Sequence, residues 1–188
     1  MLKKQLNLFK PLANFYRKRG TIYHKKKQYD KAIKVYTKAI KLDPNNAYTY
    51  CDRGFMYDKK HDYDRAIEDY NEAIKLKPRY AFFYSFRGET YYRKKNYDNA
   101  IKDCSEAIKL DPKNSYSYKW RGDAYCCKGE YDRAIEDYNE VIRLNPEFAI
   151  AYNNRGSVYQ ALGNLIKADE DFAKARELGY YVNKGAGE

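Results

Sequence analysis

The hydrophobic positions of this chain fall into pairs of helical stripes separated by short polar breaks. In residues 47–80, Tyr50, Gly54 and Tyr57 stand at i, i+4 and i+7, the spacing of one helix face. The pattern breaks at residues 60–62 and resumes as a second stripe with a period of about 3.6 residues. A proline ends that stripe, since its ring clashes with the preceding turn and it has no N–H to donate. The pattern therefore predicts a helical hairpin: helix A, a tight turn, helix B and a proline-marked turn.

The same hairpin recurs with a period of 34 residues. The residues at equivalent points of the copies are Gly20, Gly54, Gly88, Gly122 and Gly156, then Ala32, Ala66, Ala100, Ala134 and Ala168, then Pro44, Pro78, Pro112 and Pro146. Antiparallel helices need small residues where their backbones come closest, which explains the recurring Gly and Ala. One hairpin cannot bury its apolar stripes alone, whereas stacked copies can. Because no segment alternates with period two, we predict an all-α solenoid of five hairpins.

Charge is concentrated at one end of the chain. The 188 residues carry a net charge of +11, and residues 1–46 account for all of it. Residues 13–46 hold ten Lys or Arg against two acidic residues, whereas the later units are close to neutral. No window approaches the roughly 20 apolar residues of a membrane span, and the N-terminal residues lack the features of a secretory signal. We expect a soluble protein with one basic end.

The four cysteines indicate a reducing compartment. Cys51, Cys104, Cys126 and Cys127 include no CxxC pair and do not have the spacing of a disulfide framework. Adjacent Cys126 and Cys127 would project in different directions on a helix. Reduced thiols in a cytoplasmic protein are the simplest interpretation.

The signature residues resemble the tetratricopeptide repeat family, whose 34-residue unit carries an aromatic, a Gly, a Tyr, an Ala, an aromatic and a Pro at fixed offsets. In the second copy these are Tyr50, Gly54, Tyr57, Ala66, Tyr70 and Pro78. The departures are few: Cys104 replaces an aromatic residue, Val141 replaces a small one, and the fifth copy lacks its proline. The resemblance implies a right-handed superhelical solenoid of antiparallel helix pairs. The expected segments are a basic lead-in at 1–12, repeats at 13–46, 47–80, 81–114, 115–148 and 149–182, and a flexible tail at 183–188.

An arginine precedes every one of the five glycines, at a position where the family usually has an aliphatic residue. In four repeats an aspartate follows 16 residues later, whereas Arg19 is followed by Val35. We expect each Arg and Asp to form a partly buried, charge-assisted pair, the alternative being a row of anion-binding arginines. The expected pairs are Arg53 with Asp69, Arg87 with Asp103, Arg121 with Asp137 and Arg155 with Asp171.

The resemblance also implies that the A helices line a concave groove that holds a peptide. The groove positions of the middle repeats are rich in aromatic residues, which are typical anchors in interfaces. Phe86 and Trp120 fit packing between neighbouring A helices equally well. Exposure in the groove is favoured for Tyr48, Phe55, Phe82 and Tyr116. The expected peptide-binding residues are Arg17, Tyr48, Phe55, Lys59, Phe82, Phe86, Tyr92, Tyr116, Lys119, Trp120, Asn153 and Asn154.

One specialisation of this family is disfavoured by the sequence. Repeats that clamp the C-terminal carboxylate of chaperones use a Lys and an Asn in one A helix, an Asn in the next, and a Lys and an Arg in the third. Arg17 is an acceptable cation here, but Thr21 and Asp52 stand where the asparagines would be. A negative Asp52 would repel a carboxylate.

Both ends of the chain suggest alternative partners. The basic patch at the N-terminal end could contact nucleic acid or an anionic membrane, although nucleic acid is disfavoured against a merely solvated end. Its residues are Arg17, Lys18, Lys25, Lys26 and Lys27. At the other end no full capping helix follows Leu178, so Phe172 and Leu178 are expected to leave apolar surface through which the chain could self-associate.

Catalytic and metal chemistry find no support in the sequence. His24 and His61 lack metal-ligand spacing with a Cys or a carboxylate, and no glycine-rich phosphate loop, HExxH or GxSxG motif occurs. We expect no catalytic centre, no metal and no cofactor. The sequence therefore predicts a non-catalytic adaptor that binds a peptide segment of a protein partner. The alternatives are a self-associating scaffold and a binder of nucleic acid or an anionic surface.

Overall fold

The computed structural model describes residues 2–180, with side chains described from Phe9 onward. Within that range the chain is all-helical, without a strand. The helices are α1 Leu2–Lys25, α2 Tyr29–Leu42, α3 Ala47–Lys59, α4 Tyr63–Leu76, α5 Ala81–Arg93, α6 Tyr97–Leu110, α7 Ser115–Cys127, α8 Tyr131–Leu144, α9 Ala149–Ala161 and α10 Leu165–Glu177. They belong to two compact units: unit 1 is Met1–Lys95 and unit 2 is Asn96–Glu188.

Each unit is built from antiparallel helix pairs. Unit 1 contains the hairpins α1–α2 and α3–α4 followed by α5, and unit 2 contains α6 followed by the hairpins α7–α8 and α9–α10. Helix B of one hairpin also packs on helix A of the next, as α2 does on α3 and α8 on α9. The predicted all-α architecture of successive helix pairs is confirmed. The helices of the third copy, α5 and α6, belong to different units.

The helix boundaries follow the sequence pattern closely, with one difference at the N-terminal end. The turn predicted at residues 60–62 is confirmed, because α3 ends at Lys59 and α4 begins at Tyr63. In contrast, α1 runs without a break from the lead-in through Pro11 into the first copy. The tail predicted at 183–188 lies outside the described residues.

The turn between helix A and helix B contains a residue with left-handed backbone at the same point in every copy. Three of these residues are not glycine: Lys27, His61 and Lys95 have φ of 55°, 60° and 61°. Gly129 and Gly163 take this place in the last two copies, with φ of 76° and 78°. Only glycine adopts this conformation without a steric penalty, so the turns at Lys27 and His61 are held by the packed helix pairs on either side.

The recurring glycine lies where helix A meets helix B. A Cβ built on Gly54 would come within 3.1 Å of both the Ala66 carbonyl oxygen and the Tyr70 ring, which is tighter than ordinary contacts. At Gly122 a Cβ would lie 3.0 Å from the Tyr138 ring. Both tyrosines are only 1% exposed. The glycine therefore makes room for a buried tyrosine of helix B, and this contact sets the distance between the paired helices.

The arginines beside Gly54, Gly122 and Gly156 each join three helices. Arg53 donates through Nε and Nη2 to both carboxylate oxygens of Asp69, at 2.8 and 2.7 Å, and through Nη1 to Thr37 Oγ1 of the preceding helix B at 3.0 Å. Arg121 and Arg155 make the same bidentate contact in unit 2. Their partners are Asp137 and Asp171, at 2.7 and 2.6 Å, with the third donation going to Ser105 and Asn139 of the preceding helix.

Two members of the predicted series stand apart. Arg19 has no aspartate and donates instead to the Tyr23 hydroxyl at 3.1 Å. Arg87 donates to Asn71 Oδ1 of the preceding helix at 2.5 Å. Its predicted partner Asp103 belongs to the other unit, and that pair remains a prediction.

Burial and pairing act in opposite directions on these carboxylates. Asp69 is 4% exposed, and burial raises its pKa above the usual value while the bond from Arg53 opposes the rise. The Tyr50 and Tyr57 rings lie 6.0 and 5.9 Å from the Arg53 guanidinium carbon and shield it further from water. Loss of Arg53 would therefore leave the buried Asp69 carboxylate uncompensated, which lowers the free energy of unfolding.

We predict that Arg53→Met destabilises the protein by about 3–5 kcal/mol, because the buried Asp69 carboxylate loses its partner. Urea unfolding followed by circular dichroism measures the change in the free energy of unfolding. The double variant Arg53→Met/Asp69→Leu is the control and should recover most of the loss, since it removes both charges together. A single variant as stable as the wild type would contradict a structural role for the pair.

Candidate functional site

The A helices of unit 1 bring three phenylalanines together on one face. Phe55 of α3 lies 5.7 Å from Phe86 of α5, and Phe82, one turn earlier on α5, lies 6.4 Å from Phe86, measured between ring centroids. Two adjoining cavities of about 220 and 190 Å³ open beside Phe86 and share Cys51 and Asp52 in their walls. We call this feature the aromatic cleft. It lies on helix-A positions, where the sequence placed the peptide groove.

The three phenylalanines differ in how much each contributes to core packing. Phe86 stacks on the buried Tyr70 ring at 6.2 Å and 13°, and packs against the core cluster of α3 and α4. Phe82 is 46% exposed and makes its other ring contact with Tyr80 at 5.8 Å. Phe55 is half-buried between Phe86 and His24. Phe86 therefore both packs between helices and lines the cleft, so its two sequence interpretations are compatible.

Tyr48 forms one end of the cleft together with the α4–α5 connection. Its ring packs edge-on against Tyr80 at 5.4 Å and Phe83 at 5.9 Å. Lys77 lies 4.3 Å above the Tyr48 ring and donates to its hydroxyl at 3.1 Å. Tyr80 and Lys77 are not among the predicted groove residues, because those lie on the A helices only. Tyr80 stands where the first and third copies have asparagine, and this difference in the sequence marks an additional aromatic residue next to the groove.

Charged side chains border the cleft. Arg17 Nε donates to Asp52 Oδ2 at 2.7 Å. Burial raises the pKa of Asp52, and the pairing with Arg17 opposes that rise. Lys59 Nζ lies 4.7 Å from the Phe55 ring centroid. Arg17, the one cation suited to a carboxylate clamp, is thus already paired with an aspartate, which strengthens the case against a chaperone-tail clamp.

A buried polar network holds α5 against α3 near the cleft. The Thr90 hydroxyl donates to Asp58 at 2.9 Å, and Arg93 lies 3.3 Å from Asp58 and 2.6 Å from Glu89. Burial raises the pKa of Glu89, which Arg93 opposes. Tyr92, a predicted groove residue, is half-buried on the same helix. These contacts fix the helix that carries Phe82 and Phe86, which favours a preformed cleft.

Unit 2 has a different arrangement on its A helices. Asp123 of α7 is buried and accepts hydrogen bonds from the Tyr138 hydroxyl at 2.8 Å and from Asn154 Nδ2 of α9 at 2.9 Å. Lys119 Nζ lies 2.8 Å from the same carboxylate and 3.1 Å from the Trp120 ring centroid. Asn153 adds a bond of 3.4 Å to Asn154. Of the predicted groove residues, Lys119 and Asn154 therefore contact this buried carboxylate directly, while Trp120 and Asn153 contact those two side chains.

Tyr116 is the remaining predicted groove residue of unit 2. Its ring is 58% exposed and packs edge-on against Phe148 at 5.4 Å. The expected exposure of an aromatic residue at this position agrees with the structure.

The two ends of the chain also differ in part from expectation. Lys18, Lys25, Lys26 and Lys27 are exposed, whereas Arg17 is half-buried in its contact with Asp52. Among the apolar residues near the other end, the expected Phe172 and Leu178 are half-buried. Those that are most exposed there are Leu162, Leu165 and Ile166, at 49%, 61% and 76%.

Neither a membrane span nor a metal cluster is found in the described part of the chain. None of its helices combines the length and the apolar character needed to cross a bilayer. Between residues 2 and 180 there is also no group of three His, Cys, Asp or Glu side chains placed to hold a metal ion.

Solved structures with the same helix arrangement include a crystal structure of MamA, which is 31% identical over 85% of this chain and 93% of that one, with a TM-score of 0.77. MamA 41-end from Desulfovibrio magneticus RS-1 is 20% identical over 88% of this chain and 94% of its own, with a TM-score of 0.80. YrrB, described as a TPR protein with an unusual peptide-binding site, is 22% identical over 87% and 84%, with a TM-score of 0.70. The comparison with curated proteins gives no match.

Family models cover most of the sequence. A model described as TPR repeat matches residues 20–61 and 122–163. Models described as tetratricopeptide repeat match residues 47–80 and 81–114, 104–136, and 149–178. Together with the helix pairs and the relative at 31% identity, these matches show that the chain belongs to the tetratricopeptide repeat family.

Proposed function

We propose that this protein is a non-catalytic adaptor that binds a peptide segment of another protein in the aromatic cleft of unit 1. The tetratricopeptide repeat fold supports a role in protein interaction. The observation that carries the proposal is the group of Phe55, Phe82 and Phe86 beside two open cavities. A cleft lined by rigid aromatic rings with few polar groups is a typical binding site for apolar anchor side chains.

The charges around the cleft suggest what the segment carries. Lys59, at the end of α3, lies over the Phe55 ring. Lys77, in the α4–α5 connection, lies over the Tyr48 ring at the start of α3. Asp52 is already paired with Arg17. A segment with two apolar anchors and one or more acidic residues would therefore match the cleft better than a basic one.

The similarity to YrrB is compatible with this proposal. That structure is described as having a peptide-binding site, but at 22% identity it supports the fold and not the residues of a site. The cleft proposed here stands on its own geometry. Reduced cysteines, as inferred from their spacing in the sequence, fit the proposed cytoplasmic location.

Self-association is a second candidate function. It is favoured by the exposure of Leu165 and Ile166 on the first turn of α10, at 61% and 76%. Sedimentation velocity over a concentration series tests it. A mass that rises with concentration in the wild type but not in Leu165→Gln/Ile166→Gln supports a scaffold, and a constant monomer mass rules it out.

We predict that peptides selected from a random-peptide phage library on the full chain lose affinity in Phe55→Ala/Phe82→Ala by at least about tenfold, because these rings are the proposed anchors. Fluorescence anisotropy with a selected, labelled peptide gives the dissociation constants. Leu162→Ala/Ile166→Ala is the matched control, since it removes two exposed apolar side chains away from the cleft, and its affinity should equal that of the wild type.

A second variant protects this experiment against loss of folding. Phe55 contributes to packing, whereas Phe82 is 46% exposed, so Phe82→Ala alone should unfold at the wild-type urea concentration. Two results together would contradict binding in the aromatic cleft. The first is equal affinity of the selected peptides for Phe82→Ala and the wild type, and the second is an absence of competition between different selected peptides.

A further inference from the structure

Helix α1 carries an apolar face that is covered at the same positions in the other copies. Phe15 and Ile22 are 56% and 54% exposed. The residues 34 places later, Thr49 and Met56, are 2% and 1% exposed. The equivalent side chains of unit 2 are likewise at most 1% exposed: Ser117, Ala124, Ala151 and Val158. In each later copy, then, another helix covers this face.

The preceding helix B supplies the cover. Met56 packs against Ala32 and Tyr36 of α2, and Val158 packs against Ala134 and Tyr138 of α8. The arginine of the covered helix adds a polar contact to the same partner, as Arg53 does to Thr37 at 3.0 Å. A helix with an apolar stripe and a hydrogen-bond acceptor is therefore the element that fits this face.

Next to the face, a cleft between α1 and α2 carries only positive charge. It measures about 490 Å³ and is lined by Tyr16, Arg19 and Tyr23 of α1 and by Lys31, Lys34 and Lys38 of α2, among others. None of the described residues that line it is acidic. Lys34 and Lys38 stand where α4 has Glu68 and Glu72 and where α8 has Glu136 and Glu140. Each of the later copies has at least one glutamate at these two places, so the first copy alone carries two lysines at the edge of this face.

Arg19 shows the same change. Arg53, Arg121 and Arg155 each hold an aspartate, at 2.7, 2.7 and 2.6 Å. In the first copy that aspartate is replaced by Val35, and Arg19 donates instead to the Tyr23 hydroxyl at 3.1 Å. A carboxylate from outside the copy would restore the contact that the other arginines make.

From these contacts we propose that the α1 face binds an acidic amphipathic helix of another protein. The apolar stripe of that helix covers Phe15 and Ile22, a carboxylate bonds Arg19, and further acidic residues meet Lys34 and Lys38. The surface is separate from the aromatic cleft, so this proposal does not depend on the proposed function.

A second copy of the chain fits this face poorly through its own last helix. At the points where α2 has Ile33 and Ile40, α10 has Asp169 and Arg176, which break the apolar stripe. Where α2 offers Thr37 as acceptor, α10 has an alanine. A phosphate surface would satisfy the lysines but would leave the two large apolar side chains uncovered.

The chain itself provides a matched pair of probes. Residues 63–76 (YDRAIEDYNEAIKL) form an acidic B helix with four carboxylates and two cations, and residues 29–42 (YDKAIKVYTKAIKL) form a basic one with one carboxylate and four lysines. Both have the same length and nearly the same apolar stripe. Because short isolated helices are marginal in water, each is synthesised with a lactam bridge on its polar face and a fluorescent label.

Fluorescence anisotropy with the full chain should show the acidic peptide binding at least about tenfold more tightly than the basic one. Phe15→Gln/Ile22→Gln should weaken the acidic peptide by at least about tenfold, whereas the matched control Leu165→Gln/Ile166→Gln should bind as the wild type does. Lys34→Glu/Lys38→Glu introduces the residues of α4 and should also lose affinity. Phe82→Ala, in the aromatic cleft, should leave it unchanged.

Three outcomes would overturn the proposal. The first is equal affinity for the two peptides, or no binding of either. The second is wild-type affinity in Phe15→Gln/Ile22→Gln. The third is binding of duplex DNA or phosphatidylserine vesicles that Lys34→Glu/Lys38→Glu abolishes, in a protein that does not bind the acidic peptide. All variants change exposed side chains, and circular dichroism confirms their folding before the titrations.

Discussion

The contact between the helix-A glycine and the helix-B tyrosine is the constraint on which the repeat depends. A side chain at Gly54 or Gly122 would enter the space of a buried ring, so the two helices of a hairpin approach to one distance only. The arginine next to the glycine is thereby brought within bonding distance of the aspartate on helix B. The same arginine reaches the preceding helix, as in the bond from Arg53 to Thr37. One close contact thus determines both the hairpin and its stacking on its neighbour.

Helix A uses some of its positions for packing and leaves others on a face that is available for binding. The recurring glycine, arginine and signature tyrosines face helix B and the preceding copy, and the remaining positions are not needed for that packing. In unit 1 those positions carry Phe55 and Phe82, and the result is a cleft with open cavities. In unit 2 they carry Lys119 and Asn154, which contact the buried Asp123 carboxylate. The same framework therefore presents an apolar surface in one unit and a polar network in the other.

The first copy departs from this framework in the residues that would normally close it. Large apolar side chains replace the small or covered ones at Phe15 and Ile22, and Val35 removes the carboxylate that Arg19 would hold. The apolar and basic character of this face is what the proposed acidic amphipathic helix would complement.

The sequence by itself determined the hairpins, their period and their family, because small residues, prolines and apolar stripes act locally and recur in register. It also predicted that Arg53 pairs with Asp69, Arg121 with Asp137 and Arg155 with Asp171, since the spacing is 16 residues in each case. It missed the bonds from Lys60, Lys94 and Lys128 to aspartates 30 residues earlier, which join consecutive copies at the surface. Only the tertiary structure decided which aromatic rings remain exposed, that Arg17 is held by Asp52, and that Phe15 and Ile22 are uncovered. Exposure depends on what packs against a side chain from a distant part of the chain, and periodicity along one helix carries no information about that neighbour.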